Sequence, residues 1–270
     1  MPQYELRPLQ LRILRNLLAL DNVCREHGLR YYIIAGTMLG AVRHKGFIPW
    51  DDDLDVGMPR PDYDRLMANA HKWLPSPYEL VAYETDEHYP LPFGKIQDAD
   101  TTLIERMHLK YLGGVYIDVF PLDGISSNPL MQRLHFMRYF YYKKIIYFLC
   151  RDPYRHGHGP SSWIPLLCRR FYTLAGVQKK MQTLQKQYDY ATSEYIADHD
   201  FGLHSIMPAD IYGTPTEIDF EGHRVMGVSH PDTYLRHIYG NYMSLPPVSK
   251  RHQHSFHFLD LKTPYKNYKP

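Results

Sequence analysis

Three cysteines in 270 residues, Cys24, Cys150 and Cys168, are too few and too scattered for a disulfide frame, and they lack the paired spacing of a zinc site. A reducing compartment is the natural reading. No window approaches ~18 uninterrupted apolar residues, so no segment is expected to span a bilayer. The longest apolar runs are interrupted: Tyr31 to Val42 contains Gly and Thr, and Ile145 to Cys150 follows Lys143 and Lys144. Met1 to Arg12 lacks the apolar stretch of a secretory signal. Repeats and low-complexity segments are also missing. Acids are almost absent from one stretch. Between Leu130 and Lys180, ten Lys or Arg face the single acid Asp152, a balance of +9 in a chain of net charge +2, so the remainder carries −7. Aromatic residues such as Tyr141, Phe148, Trp163 and Phe171 interleave with those cations. Two readings fit: a surface for an anionic membrane or polymer, or core helices with solvated basic faces. No nucleic-acid-binding motif accompanies the charge.

Apolar and aromatic residues make up 44% of the chain and charged residues 22%, the proportions of a soluble protein with a real core. Leu9, Ile13, Leu14, Leu17, Leu20 and Cys24 recur at helical period, with Gly28 as the stop. Tyr31–Ala35 reads as a buried strand, Gly36-Thr37 as a turn, and Met38–Arg43 as a short helix. Leu54, Val56 and Met58 alternate with Asp53, Asp55 and Gly57, which predicts a strand. Pro61 suits a first helical turn, and a helix over 63–73 follows. Strands are expected near 78–83, 93–97, 101–105 and 115–120. From about Pro129 to Ala197 the pattern is helical, broken at 153–160 and at Gly176. A hairpin around Gly222 and a helix over 231–239, ended by Gly240, close the reading. The class is α+β: a catalytic core over 1–128, a basic and aromatic helical lobe over 129–200, and a C-terminal segment over 201–270 packing on the core.

The chemistry lies in the acids. On a strand, Asp53 and Asp55 project to one face, and Asp51 joins them if the extended geometry reaches back that far. Like charges so placed repel unless a cation cancels them, and Mg²⁺ typically uses one or two carboxylates plus phosphate oxygens. A solvated acidic turn is the plainer alternative, weakened because Leu54, Val56 and Met58 commit the opposite face to a core. An EF-hand loop fails, since its required glycine is Val56. Asp118 sits in the apolar strand Tyr116–Pro121, where a lone carboxylate needs a partner or a metal. Arg106 or Lys110 could pair with it; a metal-binding or general-base role is the alternative. Gly36-Thr37 can bring backbone N–H groups against a phosphate. Together these features follow the logic of metal-assisted phosphoryl or nucleotidyl transfer.

The run Ala35-Gly36-Thr37-Met38-Leu39-Gly40-Ala41-Val42-Arg43-His44-Lys45-Gly46-Phe47-Ile48-Pro49-Trp50-Asp51-Asp52-Asp53-Leu54-Asp55 resembles the signature of LicD proteins, relatives of fukutin in the nucleotidyltransferase-fold superfamily. The resemblance continues at Phe93–Asp98, Tyr116–Asp123 and Tyr239–His252. It implies a small mixed sheet flanked by helices. It also implies a phosphorylcholine transferase that moves phosphocholine from CDP-choline to a sugar hydroxyl of a cell-surface glycan, in Gram-positive members a lipid-linked teichoic acid precursor of cell wall biosynthesis. By the same resemblance Asp51, Asp53, Asp55 and Asp118 bind Mg²⁺ or Mn²⁺ and phosphate. Asp118, Asp53 and Asp55 are the catalytic set. Gly36 and Thr37 lie under the donor phosphates, and Arg43 and Lys95 screen charge. His252, beside Lys250 and Arg251, contacts phosphate. His252, His254 and His257 do not have the spacing of a zinc site. A quaternary ammonium is best held by aromatic faces, but 24 tyrosines leave the cage unassigned. The competing readings are a transferase using CDP-ribitol, CDP-glycerol or CDP-ethanolamine, a nucleotidyltransferase, and a non-catalytic glycan-binding module. The expected location is cytoplasmic, peripheral at the inner face of the membrane.

Overall fold

The computed structural model describes residues 4–105, 112–155, 157–251 and 253–269. Helix α1 (Leu6–His27) buries the apolar stripe read from its period, and Gly28 ends it in the left-handed conformation at φ 60°. The glycine N–H closes the last turn on the Cys24 carbonyl. Two polar residues of α1 are buried as well and reach into the rest of the fold. Gln10 donates to the Asp51 carbonyl at 2.9 Å, and Asn16 donates to the Val115 carbonyl at 2.8 Å.

Strand β1 (Tyr32–Ile33) is shorter than expected, because Ala35 turns the chain at φ 47° directly into α2 (Ala35–His44). Gly36 and Thr37 therefore belong to the first turn of α2 rather than to a loop before it. Gly40 lets α2 pack on the following segment: a Cβ there would lie 2.4 Å from the Gly46 carbonyl oxygen. Strand β2 (Asp55–Pro59) runs into α3 (Arg60–Trp73), with Pro61 in its first turn as read. Strand β3 is Tyr78–Val81 and β4 is Gly94–Ile104. The two strands expected over 93–105 are thus one, with a register irregularity between Asp98 and Leu103. Strand β5 (Gly113–Ile125) is the longest and lies at the centre.

Helices α4 (Pro129–Cys150), α5 (Pro160–Phe171) and α6 (Leu174–Gln185) follow. The Asn128 side chain caps α4 by accepting from the Leu130 and Met131 N–H groups. Gly176 does not break a helix; it lies in the first turn of α6, where its N–H donates to the Thr173 hydroxyl. The helical reading also overran its end. Tyr195–Asp198 is strand β6, antiparallel to β5, because a short apolar run beside an open strand gains a ladder there. Strand β7 (Met207–Pro208), a four-residue helix α7 (Ala209–Tyr212), the hairpin β8 (Thr216–Phe220) and β9 (His223–Gly227), α8 (Pro231–Tyr239) and β10 (Phe258–Asp260) complete the chain. Glu221 and Gly222 both have positive φ, as a two-residue hairpin turn requires.

The eight-stranded mixed sheet runs β1-β2-β5-β4-β10, with β3 on β4, and β6 then β7 on β5. The architecture is α+β. One core holds α1, α2, α3 and the sheet, and a second apolar cluster joins α4 to α6 through Tyr139, Ile145, Ile146, Val177, Met181 and Leu184. Strands β2 and β5 are parallel, whereas β4 and β5 are antiparallel.

Candidate active site

The sheet brings the distant acids together. In the β2–β5 ladder Asp55 is the register partner of Asp118, and on the other side of β5 Asp118 is the partner of Lys95. Residues paired across neighbouring strands point to the same face, with strands about 4.8 Å apart. The three side chains thus form one row across β2, β5 and β4. Lys95 is 2% exposed, and its ammonium lies 2.6 Å from the Asp118 carboxylate and 3.9 Å from that of Glu105. It also sits 3.2 Å from the Tyr116 ring centre, a cation–π contact. Arg106 and Lys110, the partners considered for Asp118 from sequence, lie outside the described residues.

These groups line a cavity of about 350 Å³. Asp53 joins Asp55, Lys95, Glu105 and Asp118 on its polar side. Asp53 precedes β2, so a loop places it there, not the strand alternation read from sequence. Asp51 is outside the lining. Its carboxylate faces Gly36, where a Cβ would lie 3.1 Å from Asp51 Oδ2. Thr37 holds the start of β2, its hydroxyl accepting the Asp55 N–H at 2.8 Å.

The electrostatics record the crowding. Burial and the neighbouring Asp53 push the Asp51 carboxyl up to about 8. Burial raises Asp53 too. Burial, Asp53 and Asp118 raise Asp55 well above the carboxylate range. Burial raises Asp118 to about 6 against the opposing pull of Lys95. Such a cluster is held at a cost that a cation relieves. Among the described residues, no three His, Cys, Asp or Glu side chains are set closely enough to hold a metal ion by themselves.

The remaining predicted residues are placed as follows. The Arg43 guanidinium donates to the Tyr242 carbonyl at 2.7 Å and to His44 at 2.9 Å, outside the cavity lining. Trp50 packs under Arg251, whose guanidinium carbon lies 4.5 Å from the ring centre. His252 lies outside the described residues.

Four charged cavity residues were not singled out from sequence as site residues. Lys143 of α4 pairs with Asp200, just beyond β6. Glu105 ends β4 and accepts from the Tyr116 hydroxyl at 3.0 Å. His254 is the fourth. Asp52, turned away from the other acids, accepts from the His254 backbone N–H at 2.9 Å and lies 2.7 Å from its Nδ1. The Tyr4 hydroxyl donates to the same carboxylate. The hydrogen bond to Asp52 is the largest influence raising the His254 pKa, to about 9. No spacing rule links Asp52 to a histidine two hundred residues later; the neighbouring Phe256, a cavity wall, is held by the same tether. His254→Ala should lower kcat/KM for transfer roughly tenfold with a small fall in Tm, since the imidazole is half exposed and the loss falls mainly on placement of residues 253–256. Steady-state kinetics beside a thermal melt checks this, and unchanged kinetics would remove His254 from the site.

The apolar walls are Leu91, Phe93, Phe120 and Phe256 with Tyr116. The Phe93 and Phe120 rings pack at 4.4 Å. Charged groups and aromatic rings thus line one cavity together: Tyr116 and Phe120 flank Asp118 on the same face of β5, and Lys95 lies over the Phe93 and Tyr116 rings.

Comparison with known proteins agrees with this geometry. Residues 28–152 match the family described as LicD/FKTN/FKRP, nucleotidyltransferase domain. The chain is 28% identical over 268 residues to the lipopolysaccharide cholinephosphotransferase LicD of Haemophilus influenzae, covering 94% of this chain and 97% of that one. It is 29% identical over 150 residues to an uncharacterized protein of Rickettsia prowazekii, covering 54% of this chain and 48% of the other. A 36-residue stretch is 47% identical to human ribitol 5-phosphate transferase FKRP, 13% of this chain and 7% of that protein. The family match spans the segment that carries Asp51, Asp53, Asp55, Lys95 and Asp118, so residues 28–152 are similar to the nucleotidyltransferase domain of the LicD family.

Proposed function

We propose that the protein is a phosphotransferase that moves phosphocholine from CDP-choline to a sugar hydroxyl of a lipid-linked cell-surface glycan, such as a teichoic acid precursor, and releases CMP. The observation that carries this reading is the row Asp55, Asp118 and Lys95 lining one cavity together with aromatic rings. Phosphoryl transfer needs charge neutralised at the diphosphate and an acceptor for the hydroxyl proton. A quaternary ammonium needs aromatic faces. Lys95 already lies over the Tyr116 ring at 3.2 Å and the Phe93 ring at 5.7 Å, so Phe120 and Phe256 are the faces left for choline, with Asp200 in the same lining as a counter-charge.

The donor set fits a hard divalent cation that takes its remaining ligands from phosphate oxygens and water. Asp53, Asp55 and Asp118, which are not set to hold an ion by themselves, would hold Mg²⁺ or Mn²⁺ together with phosphate oxygens, with Asp51 beside Asp53; the ion would neutralise the donor diphosphate. Lys95 screens the same charge from within the sheet. In the reaction the sugar oxygen forms a bond to the choline-bearing phosphorus and the bond to the CMP oxygen breaks. The hydroxyl proton goes to a carboxylate, for which Asp118, raised to about 6, is suited. Gly36 and Thr37 bring the N-terminus of α2 to the acids and favour phosphate there. A cytoplasmic reaction suits a chain whose three cysteines are few and scattered in sequence.

The second reading is a transferase of another CDP-activated alcohol, favoured by the short likeness to a ribitol 5-phosphate transferase. A panel of CDP-choline, CDP-ethanolamine, CDP-glycerol and CDP-ribitol with Mg²⁺ and a glycan acceptor, products weighed by mass spectrometry, separates the two. CDP-choline should give the highest kcat/KM. Phe256→Ala should raise its KM by about tenfold while changing the KM for CDP-glycerol little. A preference for ribitol or glycerol that Phe256→Ala leaves untouched would reject the choline assignment.

A further inference from the structure

Helices α4 and α5 leave an apolar surface in solvent that neither core cluster covers. On α5 the stripe Trp163, Leu167 and Phe171, spaced i, i+4, i+8, is 67%, 60% and 72% exposed. On α4 Leu130, Leu134, Met137 and Tyr141, spaced i, i+4, i+7, i+11, are exposed as well. The α4 stripe ends at Tyr141 in a groove of about 390 Å³ between the two helices, floored by Ile145, Phe148, Ile164 and Leu167. Monomeric proteins rarely leave so many large side chains of neighbouring helices in water without use.

The groove beside it is basic. Arg138, Lys179 and Lys180 line a depression of about 540 Å³ between α4 and α6. The two grooves share a wall: Lys180 lies 5.7 Å from the Tyr172 ring centre, and the Tyr172 and Tyr141 hydroxyls are 2.7 Å apart. Lys144 sits over the Tyr147 and Phe148 rings in the apolar groove. The stretch that forms both carries +9 with one acid. A protein partner with a basic and apolar face of its own is disfavoured by that charge. An apolar stripe next to clustered cations is the pattern of a helix lying in the interface of an anionic bilayer, with Trp and Phe below the headgroups and Lys and Arg among them. No helix among the described residues is long and apolar enough to cross the membrane, so the contact is peripheral.

We infer that the α4–α5–α6 lobe docks the protein on bilayers containing anionic lipid, with Trp163, Leu167 and Phe171 entering the acyl boundary and Arg138, Lys179 and Lys180 contacting headgroup phosphates. Helix α4 carries this face and the cavity together: Lys144 belongs to the apolar groove, and the adjacent Lys143 lines the cavity. Docking therefore holds the cavity within one helix diameter of the headgroups, about 10 Å, where a lipid-linked acceptor presents its sugar. The inference takes the lipid-linked acceptor from the proposed function, but its test needs no turnover.

The test is flotation of the full chain with vesicles of phosphatidylcholine alone or with three parts in ten phosphatidylglycerol, at 50 and 500 mM salt. Binding is expected on the anionic vesicles only, weakened at least tenfold at high salt, with a blue shift of Trp163 emission. The triple variant Trp163→Ser, Leu167→Ser, Phe171→Ser removes exposed side chains and should lose at least tenfold in partitioning; Lys179→Glu with Lys180→Glu should do the same. Both variants should keep the wild-type melting temperature and turnover on a soluble acceptor. Equal binding to neutral and anionic vesicles, no binding to either, or full binding by the triple variant overturns the inference. So does a concentration-dependent dimer in sedimentation that the triple variant abolishes, since the face would then belong to a second copy. Loss of turnover with intact vesicle binding would instead strike the proposed reaction and leave this surface standing.

Discussion

Asp55→Asn should abolish transfer and, in the absence of metal, make the protein more stable, whereas Asp118→Asn should abolish transfer and make it less stable. The two carboxylates are register partners on one face and burial opposes ionisation of both, but Asp118 also has the Lys95 ammonium at 2.6 Å. Burial, Asp53 and Asp118 all oppose ionisation of Asp55. Removing its charge relieves the cluster, which we expect to add about 1 kcal/mol, or roughly 2–4 °C in Tm, in chelator. Asp118 is the nearest counter-ion of the buried Lys95 among the described residues, with Glu105 at 3.9 Å and Asp53 as further acids. Neutralising Asp118 strands that ammonium, and breaking a buried pair costs about 3–5 kcal/mol, which places the fall in Tm at about 10 °C. In both variants release of CMP should drop by roughly 10²–10³-fold, the usual result of deleting one group that stabilises developing charge. A divalent cation should raise the Tm of the wild type and do so less in Asp55→Asn. Thermal melts with and without metal, paired with a CMP assay, read all of this. Full turnover in Asp55→Asn, or shifts of one sign for both variants, would remove this row from the chemistry.

The second large effect concerns stability alone. Arg60 and Asp123 form a bidentate ion pair, 2.6 and 2.7 Å, almost wholly inside the protein. His199 Nδ1 lies 3.3 Å from the same carboxylate, and His199 Nε2 meets His135 at 2.8 Å. Burial alone would raise the Asp123 carboxyl, but the Arg60 guanidinium overrides it and holds the group at about 2. Asp123→Ala leaves the guanidinium without its counter-charge and should cost about 3–5 kcal/mol. Replacing both partners, Arg60→Met with Asp123→Leu, should recover most of that loss, because the price of an unpaired buried charge disappears with the charge. The pH dependence has a definite sign. A carboxyl with a depressed folded pKa binds fewer protons folded than unfolded. Its stabilisation is present above the unfolded pKa, near 4, and is lost as pH falls toward 2. Urea titrations at pH 5 and pH 2.5 should show the wild type losing on the order of 2 kcal/mol more than the double variant. Equal acid sensitivity would mean the pair does not set that limb.

Much of the fold was legible. The period of Leu9 to Cys24 and the stop at Gly28, the entry of α3 at Pro61, and the Glu221-Gly222 hairpin all follow from local rules and stand in the structure. Errors arose where a partner decides. Tyr195–Asp198 pairs with β5, a strand seventy residues earlier in the chain, and nothing local distinguishes it from the tail of a helix. The Asp98–Leu103 irregularity looked like a turn between two strands, because a bulge and a turn share their residues. The site divides in the same way. Asp53, Asp55 and Asp118 were legible as acids inside or beside apolar strands, where only a role or a partner explains them, and Lys95 only through the family resemblance. Glu105, Lys143, Asp200 and His254 come from a strand end, a helix and two loops, and they meet only through packing. Among 24 tyrosines and 11 phenylalanines, sequence could not mark Phe93, Phe120 and Phe256 as a wall.

The Arg60–Asp123 pair sits one step beyond the parallel ladder in which Asp55 meets Asp118 and Pro59 meets Leu122. The β2–β5 alignment is thus checked at one end by opposite charges while the other end gathers like charges that would rather part. Sliding β5 by one residue would turn Asp118 to the far side of the sheet and strand Arg60 in apolar surroundings. The salt link therefore favours the in-step pairing of β2 and β5 over a one-residue slip. A protein carrying the apolar double replacement at 60 and 123 would melt like the native one yet contain a fraction of molecules that never work.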